Sequence, residues 1–333
     1  MQMNHGAKIR TRIKNIYILL KNSIQGFLNE DSLKYSASLA YYTVFSIGPI
    51  LVLMISLASI FYGQDAVQGR LFRELIGLVG LSAAKQIQSI IKNLELSGKS
   101  DIALWISTIS MLIGATTVFG DIQNSINRIW HVRAKPKKGW LKILKDRLLS
   151  SSLIIGLGFL LVVSLVVNGA ILVLTDKLQR YFQQDTMFML EALNFILTFG
   201  IIFLLFLVIF KVLPDVIISW STVRVGALFT TFLFVIGRLL IGLYLANSET
   251  ESTYGAAGSI VLILLWVYYT AAILYFGAVF TREYASLNRI DILPSEFAVH
   301  IELKEIERNV DKIPAAPLTK DDILVDKSCS AQR

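Results

Sequence analysis

Arg238 is the one charged side chain set deep in a predicted membrane span, within an apolar run from 222 to 246. A guanidinium near the bilayer centre costs about 3 kcal/mol or more, so it is expected to face a bundle interior or a wet cavity. The chemistry it offers is anion recognition, because its planar fork can donate paired hydrogen bonds to a phosphate or carboxylate. For an apolar core from 225 to 245, Arg238 falls about 5 Å outside the midpoint at helical rise. Three things could hold it there: Glu191 near the outer end of the preceding span, the Tyr269 hydroxyl in the following span, or a ligand. Asp121 sits near the cytoplasmic end of its own span, too far below to be an easy partner.

Other polar residues fall in helical rhythm. Ser107, Ser110, Gly114, Thr117, Asp121, Asn124 and Arg128 step by three or four and so share one helical face. Ser38, Tyr42, Ser46, Pro49, Leu53 and Ser56 repeat the pattern, as do Ala227, Thr231, Arg238 and Gly242. Lipid cannot satisfy polar groups, so these faces are expected to point toward each other or toward water. The same small residues and hydroxyls also let membrane helices pack closely, and Gly255, Gly258 and Ser259 read as helix contacts of that kind.

Enzyme signatures are missing from the sequence. His5, His131 and His300 are scattered with no metal-ligand spacing, and there is neither a phosphate-cradling glycine loop nor a nucleophile elbow. The single cysteine, Cys329, leaves no intrachain disulfide. A protein that is not an enzyme, with no cofactor and no metal, is the expectation.

The elements that must position these residues follow from composition. Hydrophobic residues make up 54% of the 333 and charged ones 17%, against about 25% charge in a soluble domain. An all-α, polytopic membrane bundle of six transmembrane helices is expected, with spans near 38–62, 102–125, 148–175, 188–212, 222–246 and 256–281. The net charge of +8 is sorted by loop, which argues against nucleic acid. Residues 1–34 and 128–147 are rich in Lys and Arg, while 247–255 has none, so the positive-inside rule puts both termini in the cytoplasm. The loop 63–101 carries Arg70, Arg73, Lys85, Lys92 and Lys99 and is the exception to that sorting.

Outside the transmembrane domain at 35–285, residues 1–34 form a basic N-terminus. Within it Ile13, Ile16, Tyr17, Leu20, Ile24, Phe27 and Leu28 define an amphipathic helix, lying on the inner leaflet or packed under the bundle. Residues 63–101 read as a periplasmic helical hairpin. Residues 286–333, with Pro294, Pro314 and Pro317, read as a flexible cytoplasmic tail.

Several segments resemble the YihY/BrkB family of bacterial inner-membrane proteins. They are Leu39-Ala40-Tyr41-Tyr42-Thr43-Val44-Phe45-Ser46-Ile47-Gly48-Pro49, the run from Phe119 through Asp121 and Asn124 to Trp130, Leu213-Pro214-Asp215, and Tyr254-Gly255-Ala256-Ala257-Gly258 leading to Gly277-Ala278. The resemblance implies six membrane helices in a bacterial cytoplasmic membrane, and a basic residue near the position of Arg238. It brings associations with serum resistance and with envelope lipid export, and an older ribonuclease label for which this sequence holds no nucleolytic constellation.

The expected function is therefore a transporter-like protein that binds or translocates an anionic lipid or lipid-linked molecule, with Arg238 on its phosphate. Asp121, Asn124 and Tyr42 would line the inner part of the path, with Glu191 and Tyr269 near Arg238. A small-solute or ion transporter using the same cavity is one alternative. Another is a scaffold that recruits periplasmic envelope proteins through 63–101.

Overall fold

The computed structural model describes residues 5–44, 46, 72, 88, 114, 117–135, 185–246, 258–296 and 298–302, and the described chain is mostly helical. In chain order the helices are α1 (His5–Asn29), α2 (32–44), α3 (117–129), α4 (Asp185–Val212), α5 (Trp220–Ala246) and α6 (Gly258–Leu287). Three are long and apolar enough to cross a membrane, over Phe195–Val212, Trp220–Ile241 and Ile263–Leu287. These match the expected fourth, fifth and sixth spans. The expected third span, the hairpin 63–101 apart from Phe72 and Gln88, most of the first two spans, and the tail beyond Glu302 lie outside the described residues.

Local chemistry explains where the long helices stop. Leu213-Pro214 follows α4, and proline cannot continue a helix. Ser219 then caps α5, its hydroxyl accepting from the Thr222 amide at 3.3 Å. Lys211 at the end of α4 donates to the Ile218 carbonyl and lies 5.1 Å from the centre of the exposed Trp220 ring. A lysine beside an exposed tryptophan is the composition of a membrane–water boundary.

α5 and α6 are held by a reciprocal contact. The Thr230 hydroxyl donates to the Gly226 carbonyl one turn back and packs on Gly277, while Thr281 donates to the Gly277 carbonyl and packs on Gly226. Each threonine satisfies its hydroxyl within its own helix, and that same oxygen, with the β-carbon and methyl behind it, packs on the glycine opposite. A β-carbon at either glycine would overlap the facing threonine, and one at Gly237 would overlap the Tyr269 ring. Without a hydrophobic effect to drive helices together in lipid, such backbone approach is the main attraction available. α4 closes on the other flank of α5, where Phe206 meets Phe234 edge-on at 5.8 Å.

α1 divides its surface three ways. Leu19, Ser23, Gly26 and Phe27 turn toward the bundle, with Phe27 edge-on to Phe276 and Gly26 against Val279. Ile16, Tyr17, Leu20, Ile24 and Leu28 form an adjacent exposed apolar face, and Lys14 and Lys21 are exposed as well. One face of this helix is thus packed on the bundle, as one of the two readings has it, and a second apolar face is left exposed.

Past α6 the chain is not free. Arg289 takes a positive φ of 54° and ends the helix, as residues closing a helix often do. The chain then forms two short antiparallel pairs. Leu293–Pro294 (β3) pairs with Val216–Ile217 (β2), and Ala298–His300 (β4) pairs with Val132–Ala134 (β1). Residues 293–300, within the stretch read as a tail, therefore strap together the loops after α3 and α4. Two distant loops supply the pairing, and a local reading of polarity has no access to them.

The Gly–Thr contact predicts the outcome of a substitution series. Gly226→Val and Gly277→Val should each destabilise the folded protein by about 1–3 kcal/mol through overpacking. Gly200→Ala in α4, where an added β-carbon meets nothing within 4 Å, should be neutral or stabilising. Thermal unfolding of the purified protein in detergent reads both.

Candidate functional site

Three polar groupings emerge where helices meet. At the strapped end, Arg282 on α6 donates through Nη1 to Glu30 Oε1 at 2.8 Å and to the Ile129 carbonyl. Its Nη2 reaches Glu283 at 3.0 Å. His131, at a positive φ of 56°, lies 2.7 Å from the same Glu30 oxygen. Side-chain exposure is 16% for Arg282 and 14% for Glu30, so the pair is largely desolvated and joins the end of α1 to α3 and α6. Beside it opens a cleft of about 460 Å³, lined by Trp130, His131, Arg282, Asp291, Pro294 and His300 among others.

Next to this grouping, Asp215 is clasped by α3. Asn127 Nδ2 donates to Asp215 Oδ2 at 2.9 Å, Asn127 Oδ1 accepts from the Asp215 amide at 2.8 Å, and Gln123 Nε2 donates to the same carboxylate oxygen at 3.3 Å. The Asp215 carbonyl accepts from the Ser295 amide at 2.9 Å, which ties the strap to the same point. Trp130 donates its indole N–H to the Ala278 carbonyl at 2.9 Å and fixes α3 against α6.

Deeper in the bundle, α2 and α3 run antiparallel with their polar stripes facing. Ser38 donates to Asp121 Oδ1 at 3.1 Å, and two turns further on Ser46 lies against Gly114, where a β-carbon would come 3.0 Å from its hydroxyl. Asp121 Oδ2 is buried without a hydrogen-bond partner. From α6, Tyr275 enters the same region fully buried, its ring 6.3 Å from Tyr35. Its hydroxyl makes no well-directed hydrogen bond, although Ser125 lies within loose hydrogen-bonding reach and Asp121 is close enough to act on it electrostatically. At the mouth of the cluster, burial raises Tyr35 above the ordinary phenol range, with the Arg128 guanidinium opposing the shift.

The residues singled out by sequence are dispersed. Asp121 meets Ser38 and lies near Tyr275, whereas Asn124 and Tyr42 are exposed, with Tyr42 edge-on to Tyr41 at 5.8 Å. Tyr269 packs on Gly237, and the Glu191 side chain lies outside the described residues. Arg238 is exposed rather than enclosed. The reason is angular. Gly237 faces α6, and the next residue in a helix is rotated by about 100°, which carries Arg238 off the contact. Exposed Ile236, Leu239, Leu240 and Leu243 surround it along α5, and no ion pair or hydrogen bond joins it to the described residues.

Sequence reasoning missed Glu30, Gln123, Asn127, Arg282 and Tyr275. Asn127, Gln123 and Asp215 stood in segments already recognised. A buried amide one turn from another in an apolar helix was the available signal, since such groups need partners.

Part-buried ion pairs, a polar seam inside a helical bundle and three apolar helices define a helical membrane protein. The chain belongs to the family described as "Virulence factor BrkB", whose model matches residues 23–296. Among relatives, a UPF0761 membrane protein of Pseudomonas paraeruginosa is 25% identical over 265 residues, covering 78% of this chain and 61% of its own length. One from Tolumonas auensis is 26% identical over 265 residues, covering 75% and 80%. Another, from Xanthomonas oryzae pv. oryzae, is 24% identical over 269 residues, covering 79% and 59%. The chain thus spans about three fifths of the length of the Pseudomonas and Xanthomonas relatives. No solved structure matches it.

The Asp215 clasp carries a stability prediction. Asn127→Ala removes a donor and an acceptor together from a buried aspartate and should cost about 1–3 kcal/mol. Unfolding followed by tryptophan fluorescence checks it, because Trp130 lies only three residues along the same segment.

Proposed function

We propose that this protein binds an anionic lipid or lipid-linked molecule and moves it through the membrane, with Arg238 engaging the phosphate. The observation that carries the reading is a guanidinium exposed on the flank of a spanning helix, among exposed leucines, with no counter-charge among the described residues. Such a group must find an anion, water or a headgroup. If Lys211 and Trp220 mark one boundary, Arg238 lies about 27 Å from it along α5 at helical rise. That is near the far side of a hydrocarbon core about 30 Å thick, where lipid phosphates sit. It is also further from the midplane than the sequence alone suggests, so the guanidinium need not be enclosed by protein to be tolerated.

Arg128, Arg133, Lys135, Lys211, Arg224, Arg282 and Arg289 gather at the strapped end of the described helices, which favours a cytoplasmic setting for that end. In this reading the protein is a multi-pass component of a bacterial inner membrane with both termini inside. The open Asn124 and Tyr42 and the Asp121 seam would lie along the inner part of the path.

Reconstitution tests this reading. Proteoliposomes containing labelled phosphatidylglycerol should show protein-dependent lipid translocation without flux of small solutes. Arg238→Ala should slow it about tenfold to a hundredfold, the equivalent of a charge-assisted hydrogen bond worth about 1.5–3 kcal/mol, and Arg238→Lys should retain part of the rate. Full-rate translocation by a correctly folded Arg238→Ala protein would remove Arg238 from the path. Solute flux in place of lipid movement would replace the lipid with a small anion.

A further inference from the structure

We infer that Asp121 and Tyr275 form a binding site for one monovalent cation, a proton or a sodium ion, between α2, α3 and α6. The site lies on the strapped side of Arg238 and does not depend on what Arg238 binds.

Two under-satisfied polar atoms point to it. Asp121 Oδ1 receives one hydroxyl hydrogen bond from Ser38, and Oδ2 is buried with none. The Tyr275 hydroxyl, on a side chain 0% exposed, makes no well-directed hydrogen bond in the same region, its one polar contact being a loose one with Ser125. Buried polar side-chain atoms nearly always have partners, and an exception calls for an explanation such as an ion. A desolvated carboxylate held by a single neutral hydroxyl is also far from compensated.

The surrounding charges do not supply what is missing. Tyr35 and Ser38 face the cluster from α2, Tyr275 faces it from α6, and Ser125 lies beside it on α3. Arg128 is two turns along α3, exposed, and directed at Tyr35, while Glu30 and Asp31 lie beyond Tyr35 at the α1–α2 turn. None of these is a cation paired with Asp121. A proton on the carboxyl would turn one oxygen into a donor for Tyr275 or Ser125. Sodium, a hard cation, would take the carboxylate and hydroxyl oxygens directly, by the preference that hard ions show for oxygen ligands. With one acid in the cluster, a single positive charge neutralises the site and a divalent ion would overcharge it.

The consequence is a coupling element. Asp121 bonds α2 to α3 through Ser38 and faces α6 through Tyr275, so loading or emptying the site changes the contacts among three helices at once.

The test uses the full chain in lipid nanodiscs. Its unfolding temperature is measured in sodium chloride and in choline chloride of equal ionic strength, across a pH series, for the native protein, Asp121→Asn and Tyr275→Phe. The native protein should gain several degrees on adding sodium or on acidification. Asp121→Asn should lose that response, and Tyr275→Phe should need at least threefold more cation to reach half of it. A response to sodium at constant pH identifies sodium, and a response to pH alone identifies the proton. A native protein whose unfolding temperature is the same in sodium and choline and does not change across the pH series, or an Asp121→Asn protein that responds as the native one does, would overturn the inference. Two variants that are simply more stable than the native protein, with no cation response in any of the three, would mark Asp121 and Tyr275 as buried polar groups with no ligand, and would overturn it too.

Discussion

The close approach of α5 to α6, set by two glycines and two threonines, is the contact on which the described structure depends. Lipid offers no hydrophobic gain for burying one apolar helix against another, so association must come from packing and from satisfied polar groups. The Gly226–Thr281 and Gly277–Thr230 contacts supply both, because each threonine hydroxyl is satisfied by a carbonyl of its own helix and still packs directly on the glycine opposite. α6 held in this way becomes the post to which the other elements attach. α1 meets it through Phe27, Gly26 and Glu30, α3 through Trp130 and Ile129, and α2 through Tyr35. Six of its residues, Ala271, Tyr275, Ala278, Val279, Thr281 and Ala285, are at or below 2% exposure.

The strapped end follows from a second constraint, the need of every buried backbone group for a partner. Loops after α3 and α4 enter the core through Val132, Leu213 and Val216. Strand pairing with residues 293–300 satisfies their backbone, and Asn127 and Ser295 satisfy Asp215. The ion pair of Arg282 with Glu30 lies beside this seam and links sequence positions 252 residues apart. Removing either partner would leave the other desolvated and unpaired, which is why such pairs fix geometry more surely than they add stability.

Legibility in the sequence tracked the range of the interaction. Continuous apolar runs announced α4, α5 and α6, since hydropathy acts locally, although α6 runs on to Leu287, past the expected end at 281. The facing stripes of α2 and α3 were also legible, because period alone brings Ser38, Ser46, Gly114 and Asp121 to one face of each helix. Rotation about α5 was legible only in part. Ala227 and Thr231 are fully buried as their stripe implied, yet the main contact with α6 runs through Gly226, Thr230 and Gly237, and Arg238 falls outside it. The strap was not legible, because strands of two and three residues carry too little periodicity to read, and their partners lie in loops far away in sequence.

The positions of Asp121 and Arg238 limit how they can influence each other. Asp121 is about 12 Å from the end of α3 at Ile129, whereas Arg238 is about 27 Å along α5 from Trp220 at the same end. A separation on that scale, about 15 Å along the bundle, leaves little direct attraction once lipid headgroups or water screen the exposed partner. Direct electrostatic coupling between the two residues is therefore weak. Among the described residues, α6 touches both neighbourhoods, with Tyr275 beside Asp121 and Tyr269 seated on Gly237 directly before Arg238. Those two tyrosines are about 9 Å apart on one rigid helix. At Gly237 the Tyr269 hydroxyl and ring edge and the Ile273 methyl occupy the space a β-carbon would need, so α5 and α6 are in close contact one residue before Arg238.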